Sequence, residues 1–388
     1  MKKLFLILFG LVASVNSLFI PGFINGKPLR HHLDDTLYPE IKDTDCSFVK
    51  EEWFNATVDN FNSSNKETWR QKYQVNDINF NATAPNPVIF LMIGGEGTAV
   101  NKWVCWSNYT YMKLVAKYNA LAIQLEHRFF GYSYPKFAQA GFGDMSTDTL
   151  KLLTSQQALA DLANFIKSYT YNGNSMTNAK WVAVGGSYPG SLCAWFRAQY
   201  PDLTVGGICS SAPLWAKVDF YEYAQVMESA LTDYDSKCAD NIKKGFALLK
   251  NSSYTEDGRQ RLNNLFNIQP PLDAYNSTDF DLDITNFFAN VFDKFQGVVQ
   301  YTFDAANNLT INGLGIDTLC SIANNNSIGT DSLDRIKEIF FWAINSNSVE
   351  MINITHNNYA EMIAPYQRTS FNVSDEVDQE IAAGRGWM

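Results

Sequence analysis

Four short apolar runs, each ending in a glycine-rich or polar loop, constrain the fold of this chain more than any other feature. They are PVIFLMI before GGEG, ALAIQL before EHRFFG, WVAV before GGSYPG and TVGGIC before SSAP. Apolar runs without polar alternation are typical of parallel strands that have helices on both faces. A segment between two of them, ALADLANFI, has apolar residues at helical spacing. The alternation therefore predicts a doubly wound, mostly parallel α/β sheet.

The serine in GGSYPG, Ser187, lies where a nucleophile elbow would place it. Such an elbow is a strand, a sharp turn with the serine at its apex, and a helix, with small residues around the turn. Gly185 and Gly186 precede the serine and Gly190 follows it, but Pro189 stands where G-x-S-x-G has its second glycine. Proline is well tolerated in the first turn of a helix. The alternative is that Ser187 only caps the helix; the apolar strand and the flanking glycines favour a nucleophile.

An acyl-transfer serine also needs backbone N–H groups that stabilise the oxyanion. In this architecture one donor is the residue after the nucleophile, here Tyr188, and the other lies in the loop after an earlier strand. That loop is GGEG, in which either Gly95 or Glu96 is the expected donor. The sequence does not choose between them.

The amino-terminal residues predict export from the cell. Lys2 and Lys3 precede the apolar stretch LFLILFGLVA, and small residues follow, which indicates a signal peptide over residues 1–17. The stretch is too short for a membrane span, and no span is expected elsewhere. Ten N-x-Ser/Thr sequons predict a glycosylated protein that is secreted or lysosomal. They begin at Asn55, Asn62, Asn81, Asn108, Asn251, Asn276, Asn308, Asn325, Asn353 and Asn372.

Charge and composition exclude several classes of partner. The formal net charge is −10 and no basic cluster is present, which argues against nucleic acid and anionic membranes. No metal-ligand spacing is present, so neither a metal nor another cofactor is expected.

Six cysteines in an exported chain of this size suggest a few disulfides. Cys238 and Cys320 flank a polar, helix-rich stretch and are the favoured pair. Pairing Cys46 with Cys105 is only a guess. The other two are expected to be packed thiols: Cys193, which follows the serine turn, and Cys209, which lies on a predicted buried strand.

The character of the sequence changes after Trp215. Residues 18–216 are predicted to hold the α/β domain, in which residues 18–80 consist of loop and short strand. Residues 217–380 have helical patterns and no buried-strand signal, which predicts an inserted helical cap domain. Residues 381–388 are expected to begin the return to the first domain.

Several motifs taken together resemble one family of serine peptidases. They are IGGEG, LEHRFFGYSYP, ALADL and GGSYPGSLCAWFR, in this order and spacing, followed by GVVQY, TLCSIA and GRGWM. The family includes lysosomal Pro-X carboxypeptidase, dipeptidyl peptidase II and thymus-specific serine protease, and the resemblance is closest to the thymus-specific branch. It covers nearly all of the mature chain.

The resemblance implies an α/β-hydrolase domain with a helical cap and hydrolysis of short peptides, often after proline, as a prolyl-type exopeptidase or dipeptidyl peptidase. It implies Ser187 as the nucleophile, supports the Cys238–Cys320 disulfide and gives His127 a structural role. A peptide is then the expected substrate, and the full-length protein is expected to form a homodimer.

The sequence departs from the family in its catalytic triad. A serine nucleophile needs a histidine base and an orienting carboxylate, which follow the serine in α/β-hydrolases. In the family both lie beyond the point that matches GRGWM, so the triad Asp and His are absent from this chain. His31 and His32 are expected in a surface or propeptide-like segment, and His127 precedes the serine. His356 lies within the predicted cap, where an exposed, non-catalytic position is expected.

Two explanations of this departure are open, and a fragment of an active peptidase is favoured. The missing last strands would leave an apolar sheet edge exposed, which is hard to reconcile with a stable secreted product. The other explanation is an inactive, naturally truncated relative that acts as a binding protein. In either case the 388-residue chain is expected to be inactive. An esterase on the same scaffold is a further alternative, because a fold does not determine its substrate.

Overall fold

The structure is a computed structural model of the chain, and not every residue is described. The described residues are 23–24, 27–28, 45–272, 280–302, 315–345 and 351–387. The predicted signal peptide, the two amino-terminal histidines and two of the sequons lie outside them: residues 1–17, His31, His32, Asn276 and Asn308.

The described residues contain strands in both halves of the chain. In chain order they are β1 (Phe23–Ile24), β2 (Lys27–Pro28), β3 (Lys50–Thr57), β4 (Thr68–Asn76), β5 (Val88–Ile93), β6 (Leu121–Leu125), β7 (Phe137–Gln139), β8 (Phe142–Asp144), β9 (Thr170–Tyr171), β10 (Asn174–Ser175), β11 (Lys180–Gly186), β12 (Gly206–Ser210), β13 (Ile268–Gln269), β14 (Thr355–His356) and β15 (Ser370–Asn372).

The helices of the described residues lie on both sides of the serine turn in the sequence. They are α1 (Lys102–Cys105), α2 (Thr110–Lys117), α3 (Thr147–Leu150), α4 (Ser155–Ser168), α5 (Tyr188–Gln199), α6 (Glu222–Tyr234), α7 (Ser236–Ser253), α8 (Glu256–Phe266), α9 (Phe280–Gln300), α10 (Ile316–Asn324), α11 (Ser332–Asn345), α12 (Tyr359–Ile363) and α13 (Glu376–Trp387), with a 3₁₀ turn at Ala364–Gln367. None of the helices in the described ranges is long and apolar enough to cross a membrane.

The main sheet has six strands in the order β12-β11-β5-β6-β4-β3. The strands β12, β11, β5 and β6 run parallel, and β4 and β3 add to this core in antiparallel fashion. The four parallel strands are those that the apolar runs predict. The predicted mostly parallel, doubly wound α/β sheet is therefore confirmed.

Both faces of this sheet are covered. Along β5, Ile89 and Leu91 pack into one core with Leu162 of α4 and Phe196 of α5. Phe90, between them, points to the opposite face and packs into a second core with residues of α1 and α2. Because strand side chains alternate between faces, a strand buried on both sides has no polar alternation in its sequence.

The prediction of loop and short strand for residues 18–80 is wrong for its second half. Strands β3 and β4 span eight and nine residues and pair along their length. Their signal is hidden because β4 buries polar side chains, among them Gln71, Gln74 and Asn76. Each of the three amides donates to a backbone carbonyl, at 2.7–2.8 Å, so burial leaves these donors satisfied.

By their internal contacts, the described residues within 39–216 and 366–388 form one compact unit, and the described residues within 1–38 and 217–365 form another. The second unit is mostly helical and has its own core, to which aromatic side chains contribute, including Phe246, Phe287 and Phe340. The designation of this unit as an inserted cap stays a prediction.

The described cysteines form three disulfides. Cys238 is bonded to Cys320, the pair that the resemblance supports, and Cys46 is bonded to Cys105. The prediction of packed thiols for the remaining two is wrong, because they form a disulfide: Cys193–Cys209. Helix α5 packs on β12, which brings the two Cα atoms to 5.4 Å, within disulfide range. Apolar surroundings suit a thiol and a disulfide equally, so the sequence pattern did not reveal the bond.

Candidate active site

Ser187 lies between β11 and α5 in a backbone conformation that is rare for a residue with a side chain. Its φ is 60° and its ψ is −132°. The Ser187 N–H donates to the carbonyl of Ser210 at 3.0 Å, and the Ser187 carbonyl accepts from the N–H of Ser191 at 3.0 Å. Its side chain is exposed and makes no capping hydrogen bond to the helix. The turn therefore resembles a strained nucleophile elbow rather than a side-chain helix cap.

Two glycines make this turn sterically possible. A Cβ atom on Gly185 would lie 2.1 Å from the carbonyl oxygen of Pro189, and one on Gly190 would lie 2.6 Å from that of Ser210. The second close approach falls three residues after the serine instead of two. The position two residues after the serine is free to be Pro189, which explains the departure from G-x-S-x-G.

Substitution of Gly185 by alanine is expected to destabilise the fold by about 1–3 kcal/mol, because the added methyl group overlaps backbone atoms, which cannot turn aside as a flexible side chain can. The matched control is Gly186→Ala, since no atom lies within 4 Å of a Cβ at that position. Urea unfolding of both variants measures the difference. Equal free energies of unfolding would contradict the tight packing of the elbow.

The GGEG loop is fixed at both ends. The Gly94 N–H donates to the carbonyl of Leu125 at 2.9 Å. Beyond the loop, the Ala99 N–H donates to Glu126 Oε1 at 3.0 Å and the Ala99 carbonyl accepts from Gln74 Nε2 at 2.8 Å. These bonds hold the peptide groups between Gly94 and Ala99 in place, and they do not use the N–H groups of Gly95 and Glu96.

This loop packs against the elbow. A Cβ atom on Gly95 would lie 2.7 Å from Cγ of Pro189. Within the described part of the chain, the N–H groups of Gly95, Glu96 and Tyr188 donate to no backbone or side-chain acceptor. They are the three donors that the sequence proposes for the oxyanion, and they remain available to a ligand.

Glu96 adds a negative charge beside the turn. Its Oε2 atom is buried and has no hydrogen-bond partner among the described residues. Burial, with a smaller contribution from the Glu96 charge, raises the pKa of Tyr188 above its ordinary value. The Tyr188 hydroxyl therefore stays protonated.

The EHR segment after β6 supplies three buried anchors, of which Glu126 is the first. Its carboxylate accepts hydrogen bonds from the N–H groups of Ala99 and Tyr132, at 3.0 Å each, and from the hydroxyl of Ser133. Burial outweighs these bonds and raises the pKa of Glu126 from 4.5 to about 7. This carboxylate joins the loop after β5 to the turn after β6.

His127 is the second anchor and is also buried. Its Nδ1 atom lies 2.8 Å from the carbonyl oxygen of Arg128, and its Nε2 atom lies 3.1 Å from the hydroxyl of Tyr188. Burial lowers the pKa of His127 to about 4. The ring is therefore neutral at the pH of most secretory compartments.

Arg128 is the third anchor and forms a buried ion pair with Asp161 of α4. Its Nε and Nη2 atoms donate to the two carboxylate oxygens at 2.7 Å each. Nη1 donates to the carbonyls of Val58 and Leu152, and Asn60 donates to the same carboxylate at 2.8 Å. The pair is thus hydrogen-bonded on both sides, as a buried charge requires.

These three residues were missed as site residues because polar and charged residues after an apolar run are ordinarily part of an exposed loop. Their signal is nevertheless present, since Glu126, His127 and Arg128 directly follow a strand whose five residues are all buried. Charged residues in such a position are almost never buried unless they are paired.

No base for Ser187 is found in the described ranges. No histidine or carboxylate there forms a hydrogen bond with the side chain of Ser187. His127 is bonded to the hydroxyl of Tyr188 and the carbonyl of Arg128 instead. His356 lies in β14, exposed, within the helical unit. The described residues also contain no group of three or more His, Cys, Asp or Glu side chains that could hold a metal ion.

The described sequons are accessible. Seven of the asparagines are exposed and one is half-buried. The exposed ones are Asn55, Asn62, Asn81, Asn108, Asn251, Asn325 and Asn353, and the half-buried one is Asn372.

Comparison with known proteins gives a family match over most of the chain. The sequence profile of the family described as serine carboxypeptidase S28 matches residues 56–388. A Caenorhabditis elegans protein named as a serine protease is 41% identical over 380 residues, which cover 95% of this chain and 66% of that protein.

Mammalian relatives match shorter parts. The thymus-specific serine protease of Mus musculus is 38% identical over 47% of this chain and 34% of its own length. The lysosomal Pro-X carboxypeptidase of Homo sapiens is 28% identical over 78% of this chain and 60% of its own length. The chain thus spans between about a third and two thirds of the length of these relatives.

Proposed function

The chain belongs to the serine carboxypeptidase S28 family and has its α/β-hydrolase fold, and from this premise we propose that the protein is a serine-type peptidase that works through an acyl-enzyme. The observation that carries the proposal is the conformation of Ser187. A strained, exposed serine between a parallel strand and a helix, with unused N–H groups beside it, is the arrangement that acyl transfer needs.

In the proposed reaction, Ser187 Oγ attacks the carbonyl carbon of the scissile peptide bond and loses its proton to a histidine base. The N–H of Tyr188, together with that of Gly95 or Glu96, stabilises the negative oxygen of the tetrahedral intermediate. The C–N bond then breaks, the amine leaves with the proton from the histidine, and water hydrolyses the Ser187 ester. The histidine and its orienting carboxylate would come from outside the described residues.

The proposed substrates are short peptides with proline before the scissile bond, cut by an exopeptidase of the prolyl or dipeptidyl type. Support comes from the family and from the name of one relative, lysosomal Pro-X carboxypeptidase. No metal or cofactor takes part in this scheme, and the partner is the peptide, with a homodimer proposed for the full-length protein.

We propose a secreted or lysosomal location. Three disulfides suit an oxidising compartment, and the exposed sequons suit N-glycosylation there. The signal peptide predicted over residues 1–17 would lead to the same location.

One observation favours a second candidate, a non-catalytic binding protein. It is the lack, among the described residues, of a base beside Ser187. A panel of Xaa-Pro peptide amides and p-nitrophenyl esters distinguishes the possibilities, with the protein expressed from its complete gene in a eukaryotic secretory host. We expect hydrolysis of the peptide amides. Ester turnover without peptide cleavage would indicate an esterase, and binding of peptides without any turnover would support the second candidate.

A further inference from the structure

We propose that His127 is a positioning residue, which holds Tyr188 through its side-chain hydroxyl and thereby fixes the backbone N–H that stabilises the oxyanion. The inference rests on the proposed function, since it assigns a role within the reaction of Ser187. It concerns a contact between residues 61 positions apart in the sequence.

The hydrogen bonds define the tautomer of the imidazole ring. The carbonyl oxygen of Arg128, 2.8 Å from Nδ1, can only accept, so Nδ1 carries the proton. In the neutral ring Nε2 is then an acceptor, and the Tyr188 hydroxyl at 3.1 Å is its donor. The resulting series runs from the Tyr188 hydroxyl through the imidazole ring to a backbone carbonyl.

The surroundings keep this arrangement in one state. His127 is 4% exposed, and its ring lies edge-on to that of Phe130, with centroids 5.3 Å apart. A protonated imidazole could not accept from Tyr188, and burial disfavours that form. The accepting carbonyl is itself well placed, because the Arg128 side chain is bonded to Asp161 and to loop carbonyls.

Tyr188 connects His127 to the proposed oxyanion site. It is the first residue of α5, where the backbone N–H has no partner inside the helix. The side chain of the same residue extends to His127. Its hydrogen bond to His127 therefore restricts the position of the Tyr188 backbone as well. A small shift of this N–H would weaken the stabilisation of the transition state and leave the binding of the substrate in the ground state almost unchanged.

The test uses Tyr188→Phe, which removes one oxygen atom, in protein expressed from its complete gene. We expect kcat to fall about tenfold and KM to stay within about twofold, because only the transition state loses stabilisation. His127→Leu should have the same effect, and the double variant should be no slower than either single variant. His127→Gln should restore much of kcat, since its amide oxygen can accept from Tyr188. Tyr118→Phe is the matched control, as that side chain is 53% exposed in the same unit.

The outcomes separate this inference from the proposed function. Unchanged kcat in Tyr188→Phe, or additive losses in the double variant, would overturn the positioning role while Ser187-dependent turnover persists. Absence of Ser187-dependent turnover in the unmodified protein would overturn the proposed function, and this role with it. The hydrogen bond has its own readout: ¹⁵N NMR of the histidine rings, with His127 assigned from His127→Gln. We expect a neutral ring protonated at Nδ1 from about pH 5 to about pH 7; protonation at Nε2 would contradict the geometry.

Discussion

Replacing Ser187 by alanine is expected to lower kcat for peptide hydrolysis by about a million-fold, with the protein still folded. This loss is expected because the Ser187 hydroxyl is the group that forms the acyl-enzyme. The magnitude is the loss of kcat measured when the nucleophile of subtilisin is removed. The turnover of an Xaa-Pro peptide amide measures it, in protein expressed from its complete gene.

The control for this substitution is Ser168→Ala, which removes an exposed hydroxyl from the end of α4 in the same unit. It should leave kcat unchanged. Residual activity of Ser187→Ala above a tenth of that of the unmodified protein would show that another residue is the nucleophile, or that the hydrolysis follows a different mechanism.

Replacing Arg128 by methionine is expected to lower the free energy of unfolding by about 3–5 kcal/mol, because the carboxylate of Asp161 is then left buried without its cation. Both side chains are almost fully buried, at 0% and 2% exposed. The double variant Arg128→Met with Asp161→Leu should recover part of the loss, since it removes both charges. Urea unfolding, monitored by intrinsic fluorescence, gives the free energies of unfolding of the unmodified protein, the single variant and the double variant.

The matched control is Lys151→Met. Lys151 forms an ion pair with Asp148 at 2.7 Å, but the two side chains are 71% and 91% exposed. An exposed pair of this kind contributes little to stability, because water and salt screen the attraction between its charges. Equal losses for Arg128→Met and Lys151→Met would contradict the view that the segment after β6 is held by a buried ion pair.

The parallel strands and the serine turn were predictable from the sequence because their determinants are local. A strand covered on both faces gives an uninterrupted apolar run, and a strained turn needs glycine at the positions where the backbone passes close to another chain segment. Gly185 fits that expectation, and Gly190 fits it with a shift of one position.

Strands β3 and β4 were not predictable in the same way. Strand β4 contains Gln71, Gln74 and Asn76, which are buried but donate to backbone carbonyls far away in the sequence. A polar residue that finds a partner through tertiary structure looks, in the sequence, like a residue of an exposed loop. The disulfide between Cys193 and Cys209 has the same character, because only the packing of α5 on β12 brings the two sulfurs together.

Within the candidate site, the sequence predicted Ser187, Tyr188 and the GGEG loop from order along the chain. It did not predict that His127 contacts Tyr188. That contact depends on the direction in which two side chains leave different loops, and spacing along the chain does not determine this direction.

The central claim, that Ser187 is the nucleophile, is tested most directly by mass spectrometry of tryptic peptides after reaction with a fluorophosphonate probe. In protein expressed from its complete gene, we expect one adduct, on the peptide that contains Ser187, and no adduct in the Ser187→Ala variant. An adduct on another serine, or one that persists in Ser187→Ala, would contradict the account.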